Sequence, residues 1–198
     1  ESYFRKAVET LTERNPNPYD GEPYYNWGWS CMMQQKWDEA YDAFFKSAWN
    51  AAWQDAAYYA LAQLDTRKGK YESALDKIDR SLIRNWHNHK ARQLKTSILR
   101  KLGRKEEALA LVAESLQIDR FNMGCRFEHY LLTRDVEVLE EMKKLMRGWA
   151  HGYIEYALDF AAAGLYEEAF SLLECYVIGV TEVYPVVYYT MGYFHTCK

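Results

Sequence analysis

The chain is 198 residues long and contains only four prolines and ten glycines, so its long uninterrupted stretches favour helix and exclude a protein built mainly from sheets. The mild net charge of −3 argues against binding nucleic acid or a membrane surface along the whole length. No apolar run reaches the roughly 18 residues of a membrane span, and the four cysteines form no C-x-x-C pair. We therefore expect no cofactor, no metal and no membrane partner, and the unpaired thiols favour the cytoplasm.

The first predicted element is a helix over residues 4–14, which an Asn-Pro pair ends. The chain begins with Glu1 rather than methionine, and the last predicted helix is still running at Lys198. Both ends indicate a piece of a longer protein, in which residues 1–16 are the last helix of a preceding structural unit.

One short phrase recurs through the rest of the chain. It takes the forms WDEA, YESA, KEEA and YEEA, which end at Ala40, Ala74, Ala108 and Ala169. These alanines are 34, 34 and 61 residues apart. A fixed period of this size predicts stacked copies of one helical unit, and the last spacing indicates one copy shortened by about seven residues.

Small and large residues accompany each phrase at fixed distances. The small residues are Gly28, Ala62, Thr96 and Ala157, and the large ones are Phe44, Ile78, Val112 and Leu173. Small residues facing large ones let two helices cross closely, and a longer side chain would overpack the crossing. Gly69, Gly103 and Gly164 stand where the first helix of each pair must end, in a conformation with positive φ.

The period and these positions resemble the tetratricopeptide repeat. The resemblance implies an all-α fold, an open right-handed α-solenoid of antiparallel helical hairpins. The implied repeats are residues 21–54, 55–88, 89–121, a shortened 122–148 and 149–184, with 185–198 as the first helix of a further one. In the shortened copy, Asp135 should cap the second helix. Residues 15–89 also resemble the repeat region of large bacterial multidomain proteins of unknown function that carry carbohydrate-type β-sandwich modules.

In this family the first helices of the hairpins line an inner groove, and the resemblance assigns the groove residues. They are Tyr25, Trp29, Met32 and Met33, then Tyr59, Gln63, Thr66 and Arg67, then Lys90, Gln93, Ser97, Arg100 and Lys101. Rings supply burial and arginines supply charge-assisted hydrogen bonds, which suits an extended peptide or helix with an acidic stretch beside an apolar anchor. We therefore predict a non-catalytic protein-interaction or domain-organising scaffold in a bacterial protein linked to carbohydrate metabolism. Its partner is a protein, a peptide or a neighbouring domain of the same chain.

A nucleic-acid partner is the first alternative. Residues 66–105 contain 13 Lys or Arg against 3 Asp or Glu, a balance of +10 that leaves −13 for the remainder. Trp86 lies within this segment, and basic charge with aromatic rings is typical of single-strand binding. Because many of these cations fall on second helices or turns, we interpret them as a solvated face.

An enzyme is the second alternative, since α/α-barrel carbohydrate-active enzymes also use aromatic-rich helices. Catalysis would need two carboxylates at a set separation, and no spacing pairs the candidates. They are Asp20, Glu22, Asp55 and Glu155. The spacings of His87 with His89 and of Cys125 with His129 would suit two metal ligands each. Neither pair has further ligands nearby in sequence, so we assign these residues to packing or capping.

Overall fold

The structure, a computed structural model, describes residues 2–16 and 18–197, so Glu1, Asn17 and Lys198 lie outside the described residues. The described chain contains twelve α-helices, one short 3-10 turn (Ala51–Trp53) and no strand. The helices are α1 (Ser2–Thr12), α2 (Glu22–Met33), α3 (Trp37–Ser47), α4 (Gln54–Arg67), α5 (Tyr71–Arg84), α6 (His89–Lys101), α7 (Lys105–Ile118), α8 (Met123–Thr133), α9 (Val136–Met146), α10 (Ala150–Ala162), α11 (Tyr166–Gly179) and α12 (Pro185–Cys197). None of these helices is long and apolar enough to cross a bilayer.

Consecutive helices from α2 to α11 pair as five hairpins, each joined by a short turn. Gly69, Gly103 and Gly164 lie in three of these turns with φ of 69°, 73° and 76°, which confirms the left-handed backbone predicted there. The helices of a hairpin approach closely. In the first one, a methyl group on Gly28 would lie 2.8 Å from the Phe44 ring, so the small residue is needed for this crossing.

The region predicted as a shortened copy forms α8 and α9. The side chains of Asn122 and Asp135 cap these helices, each accepting a hydrogen bond from a backbone N–H two or three residues on, at 3.0 and 2.9 Å. The predicted aspartate cap is confirmed. Arg134 takes the left-handed conformation, with φ of 57°, in the turn where three other hairpins carry glycine.

The fifth hairpin, α10 and α11, lies against the first helices of earlier hairpins. Arg67 at the end of α4 donates a hydrogen bond of 2.6 Å to a carbonyl near the end of α10. Lys90 on α6 pairs with Asp159 on α10 at 2.7 Å. The ring of Phe127 on α8 meets that of Phe160 on α10 edge-on, with 5.8 Å between centroids. The inner side of α4, α6 and α8 is therefore in part an internal packing surface.

The basic segment over residues 66–105 is matched by carboxylates from other helices. Its lysines and arginines form ion pairs with acids on α3, α4, α7, α8, α10 and α11. Arg100 and Lys101 are among the less exposed of these cations and pair with Glu168 at 2.9 and 2.6 Å. Much of the charge asymmetry in the sequence therefore reflects contacts between hairpins.

Candidate functional site

An apolar cleft separates the turn of the first hairpin from the last helices of the chain. Its volume is about 380 Å³, within the range of about 300–1,000 Å³ that is typical of ligand pockets. It is open to solvent at its edge, where several large apolar side chains are exposed. We refer to it as the apolar cleft.

The first wall of the apolar cleft comes from α2 and the start of α3. Trp29, Met32 and Met33 line it because their spacing places all three on one side of α2. Trp37, the first residue of α3, extends this wall. Met33 is 74% exposed, so its thioether is presented to solvent, and flexible thioethers adapt to apolar partners of different shape.

The second wall comes from α10 and α12. Leu158 and Ala162 of α10 and Tyr193 and Phe194 of α12 line it. Leu158 and Tyr193 are 45% and 59% exposed, whereas Phe194 is fully buried and anchors α12 against the ring of Phe170 at 6.2 Å. Two parts of the chain that are more than 120 residues apart in sequence therefore form one apolar site.

Arg67 supplies a positive charge to the apolar cleft. Its guanidinium lies over the Trp37 ring, 4.4 Å from the centroid, and 5.4 Å from the centroid of the Tyr166 ring. It donates hydrogen bonds to the Tyr166 hydroxyl at 3.0 Å and to the Ala161 carbonyl at 2.6 Å. Among the described residues no carboxylate forms an ion pair with it. Rings and carbonyls thus orient this cation, and no acid of the described chain neutralises it.

The carboxylate of the cleft is Asp159, and it is already engaged. Lys90 donates a hydrogen bond of 2.7 Å to Asp159 Oδ1. Burial raises the pKa of Asp159, while the hydrogen bond from Lys90 opposes this rise. The acid is therefore paired on the side of α6, and among the described residues the positive charge of Arg67 has no acidic partner.

Four of the residues that the sequence assigns to the groove line the apolar cleft. They are Trp29, Met32, Met33 and Arg67. Tyr25, a fifth, lies one turn earlier on α2, and its ring packs 4.8 Å from the tryptophan of the 3-10 turn. Tyr25 therefore supports the wall from behind rather than lining the cleft.

The remaining predicted groove residues lie on α4 and α6 and contact other side chains of this protein. Gln63 is buried and donates a hydrogen bond of 3.2 Å to the Tyr59 hydroxyl, whose pKa burial raises. Gln93 is also buried. Lys90 and Arg100 form ion pairs with acids on α10, α8 and α11. The predicted groove residues therefore divide into four that line the apolar cleft and others on α4 and α6 that contact side chains of this protein.

Several residues of the apolar cleft were missed by sequence reasoning. Leu158, Tyr193 and Phe194 come from helices that the repeat pattern places far along the array, and Gln35 lies in a turn. A local pattern assigns groove residues helix by helix, so it contains no information about the return of α10 onto α4. The available signal was the aromatic ring that opens three of the phrases, at Trp37, Tyr71 and Tyr166. Two of these rings, Trp37 and Tyr166, line the apolar cleft.

The metal-ligand spacings in the sequence do not converge in the structure. Among the described residues, no three His, Cys, Asp or Glu side chains lie close enough to hold a metal ion. Burial raises the pKa of the Cys125 thiol to about 12, whereas a metal ligand is a thiolate. His89 Nε2, at the start of α6, lies 3.7 Å from an Asp119 carboxylate oxygen at the end of α7.

Comparisons with solved structures establish the fold. A tetratricopeptide repeat protein from Parabacteroides merdae ATCC 43184 matches with a TM-score of 0.66 and 19% identity, over 97% of this chain and 77% of that chain. YrrB, a TPR protein with an unusual peptide-binding site, matches with a TM-score of 0.58 and 19% identity, over 88% and 90% of the two chains. A chain of the APC/C hetero-tetramer Cut9-Hcn1 matches with a TM-score of 0.60 and 14% identity, over 98% and 39%. The chain therefore has the all-α helical-repeat solenoid fold of tetratricopeptide repeat proteins. No protein-family model and no curated protein matches its sequence.

Proposed function

We propose that this protein is a non-catalytic interaction module that binds an extended segment of a partner polypeptide in the apolar cleft. The segment places an apolar side chain between the walls formed by α2 and by α10 with α12, and an acidic group near Arg67. The partner is a protein or peptide, or a neighbouring domain of the same chain.

This proposal rests on the combination of exposed apolar walls with a cation, Arg67, that no acid among the described residues neutralises. Met33 and Leu158 present apolar surface on opposite walls, and enclosing such surface is favourable by about 25 cal/mol per Å². Arg67 is held by Trp37 and Tyr166, so little side-chain freedom would be lost when it binds a carboxylate. An apolar residue next to an acidic one matches both features.

Two solved structures of the same fold support a polypeptide partner. YrrB has an unusual peptide-binding site, and the Cut9-Hcn1 chain belongs to a hetero-tetramer. The second resemblance in the sequence adds the prediction that the partner is an adjoining domain in a large bacterial protein linked to carbohydrate metabolism. The unpaired thiols add the cytoplasm as its location.

The test uses fluorescein-labelled pentapeptides of sequence Gly-Ser-Φ-Ser-Asp, where Φ is Leu, Phe or Trp. Matched peptides carry Gly at Φ or Asn in place of Asp. We expect fluorescence polarisation to show that both the apolar residue and the acid strengthen binding. Substitution Met33→Glu should weaken binding about tenfold, because it replaces apolar surface of the first wall with a carboxylate that repels the Asp of the peptide.

The control variant is Ile83→Glu. Ile83 on α5 is 79% exposed, close to the 74% of Met33, and does not line the apolar cleft. We expect this variant to bind the peptides as the wild type does. Equal binding of the Gly-containing peptide, or an equal loss in the two variants, would rule out the apolar cleft as the peptide site.

A further inference from the structure

Gln35 occupies a turn position at which three other hairpins have glycine. It lies five residues before the alanine of the first phrase, as Gly69, Gly103 and Gly164 do in theirs. All four residues adopt left-handed backbone, with φ of 60° for Gln35 and of 69°, 73° and 76° for the glycines. Among these four residues only Gln35 has a side chain, and the conformation costs free energy in an L-amino acid. Arg134 and Arg147 also adopt it, with φ of 57° and 53°, but neither lines the apolar cleft.

No contact inside the described part of the chain accounts for this side chain. Gln35 is exposed, and its recorded hydrogen bond is a backbone one, from its N–H to the Met32 carbonyl at 3.0 Å. The neighbouring Gln34 differs, because its side-chain amide donates to the Ser30 carbonyl at 2.8 Å. Gln35 is a lining residue of the apolar cleft.

We propose that the Gln35 carboxamide binds the main chain of the polypeptide segment in the apolar cleft. This inference rests on the proposed function and adds the group that holds the peptide backbone. A carboxamide offers an N–H donor and a carbonyl acceptor together, the same pair that a peptide group offers in return. The walls then select the apolar side chain, Arg67 selects the acid, and Gln35 fixes the peptide in register whatever its sequence.

The left-handed backbone of Gln35 would favour glycine in this turn, and the proposed contact of the carboxamide with the peptide accounts for a side chain at this position. Glycine would hold the turn without strain but would leave the edge of the cleft without a polar group. Pockets that bind ligands are mostly apolar with a few placed polar groups that fix orientation, and strained residues cluster at such sites. In this proposal the Gln35 side chain binds the peptide, and the left-handed backbone that it requires in the turn costs some stability.

The experiment couples a change in the protein to a change in the peptide. The probes are the Gly-Ser-Φ-Ser-Asp peptides and versions methylated at one main-chain nitrogen beside Φ. In the wild type, we expect at least one methylation to weaken binding about fivefold, which corresponds to about 1 kcal/mol for one hydrogen bond. In Gln35→Gly, unmethylated probe should bind about fivefold more weakly, and the same methylation should have no further effect.

A stability measurement accompanies the binding data. Gln35→Gly should raise the melting temperature by about 2–4 °C, because glycine relieves the strained turn. The matched control is Gly103→Gln, which places the same side chain in the same conformation where a Cβ would meet nothing within 4 Å. It should lower the melting temperature by a similar amount and leave peptide binding unchanged.

The outcomes separate this inference from the proposed function. If the probes bind in a Φ-dependent way but methylation weakens the wild type and Gln35→Gly equally, the role of Gln35 is wrong and the peptide site stands. If no probe binds the wild type, both are wrong. If Gln35→Gly binds the probes as tightly as the wild type, the Gln35 side chain does not bind the peptide. If Gln35→Gly is less stable than the wild type, the backbone of Gln35 does not cost stability. Either result contradicts the inference.

Discussion

Gly164 and Gly103 have the same backbone conformation but different surroundings. Both lie in a hairpin turn, with φ of 76° and 73°. A methyl group on Gly103 would meet nothing within 4 Å, whereas one on Gly164 would lie 2.9 Å from the Arg67 Cα atom. Gly164 therefore meets two requirements, a left-handed backbone and the close approach of the fifth hairpin to the end of α4.

Alanine substitutions separate these two requirements. We expect Gly103→Ala to lower the free energy of unfolding by about 1 kcal/mol, from backbone strain alone. We expect Gly164→Ala to lower it by about 2–4 kcal/mol, because overpacking against Arg67 adds to the strain. Urea denaturation of both variants measures the difference. Equal losses would show that the turn does not need its contact with α4.

At the residue scale, the sequence predicts which positions need a left-handed backbone, but it does not predict which residues contact each other across the fold. The left-handed turns at Gly69, Gly103 and Gly164 follow from their shared place in the period, and φ values confirm them. The contact between Gly164 and Arg67 joins residues 97 positions apart in the numbering. No local pattern contains that distance, so the sequence alone could not distinguish Gly164 from Gly103.

At the scale of the helices, Glu168 joins α11 to α6. Its carboxylate accepts hydrogen bonds from Arg100 at 2.9 Å and from Lys101 at 2.6 Å, and its side chain is 6% exposed. Burial raises the pKa of Glu168, but the hydrogen bonds from Lys101 and Arg100 outweigh burial and lower it. Arg100 also binds Glu128 at 2.6 Å, so one charged cluster ties three helices together.

This cluster predicts a pH-dependent contribution to stability. Because the pKa of Glu168 is lower in the folded chain than its unfolded value of about 4.3, the unfolded chain binds more protons near that pH. The stabilisation is present above about pH 4.3 and is lost as the pH falls through the folded pKa. We expect Glu168→Gln to lower the free energy of unfolding by about 1–3 kcal/mol at pH 7, and by less below pH 4.

Urea denaturation at pH 7, 5 and 3.5 measures the difference in free energy of unfolding between the wild type and Glu168→Gln, which we call the gap. The gap isolates Glu168, since Asp159, whose pKa is raised by burial, contributes to the wild-type curve with the opposite sign. Glu106→Gln, an exposed acid on α7, is the control and should show almost no gap at any pH. A gap for Glu168→Gln that does not change with pH would contradict the assignment.

Helix ends are the features of this scale that the sequence predicts well. The cap at Asp135 was predicted from residue type and is present, because capping depends only on residues within one turn. The partners of Arg100 were not predicted, since they come from α8 and α11. Arg100 and Lys101, which the sequence assigns to the inner groove, form ion pairs with Glu128 on α8 and Glu168 on α11.

At the scale of the whole molecule, the hairpins follow one another along the chain as in a linear array. Some of their contacts, however, join hairpins that are not neighbours in the sequence. Arg67 bonds to a carbonyl 94 residues away, and Lys90 to a carboxylate 69 residues away. In a linear array each repeat contacts only its neighbours and the array unfolds in parts. Contacts between the second, third and fifth hairpins couple these parts.

We therefore expect one cooperative unfolding transition. Six of the seven tryptophans precede residue 90, so tryptophan fluorescence reports mainly on the first two hairpins, whereas circular dichroism reports on all helices. The two signals should give coincident urea curves for the wild type. Curves with separate midpoints would show that the early hairpins unfold independently of the fifth.

The period of the sequence predicts the fold class but not the position of the fifth hairpin. A repeated pattern specifies how one hairpin stacks on the next, and the shortened α8–α9 copy changes that stacking in a way its sequence does not reveal. The charge balance of +10 in residues 66–105 against −13 elsewhere was the available signal. This balance is consistent with contacts between the basic segment and acidic parts of the chain. The ion pairs of Lys90 with α10 and of Arg100 with α11 are contacts of this kind.

The signals of the methionine methyl groups can show whether a peptide binds in the apolar cleft. The chain has six methionines. Met32 and Met33 line the apolar cleft, whereas Met123 and Met142 are buried at other places in the core. NMR spectra of protein with ¹³C-labelled methionine methyls, recorded during titration with the Gly-Ser-Φ-Ser-Asp peptides, therefore report on the cleft and on the core separately.

We predict that the Met33 methyl signal shifts most, that Met32 follows, and that Met123 and Met142 do not move. In the Met33→Glu variant, the Met32 signal should need about tenfold more peptide to reach half of its shift. Shifts confined to methionines outside the apolar cleft, or no shifts at peptide concentrations that saturate binding, would contradict the account.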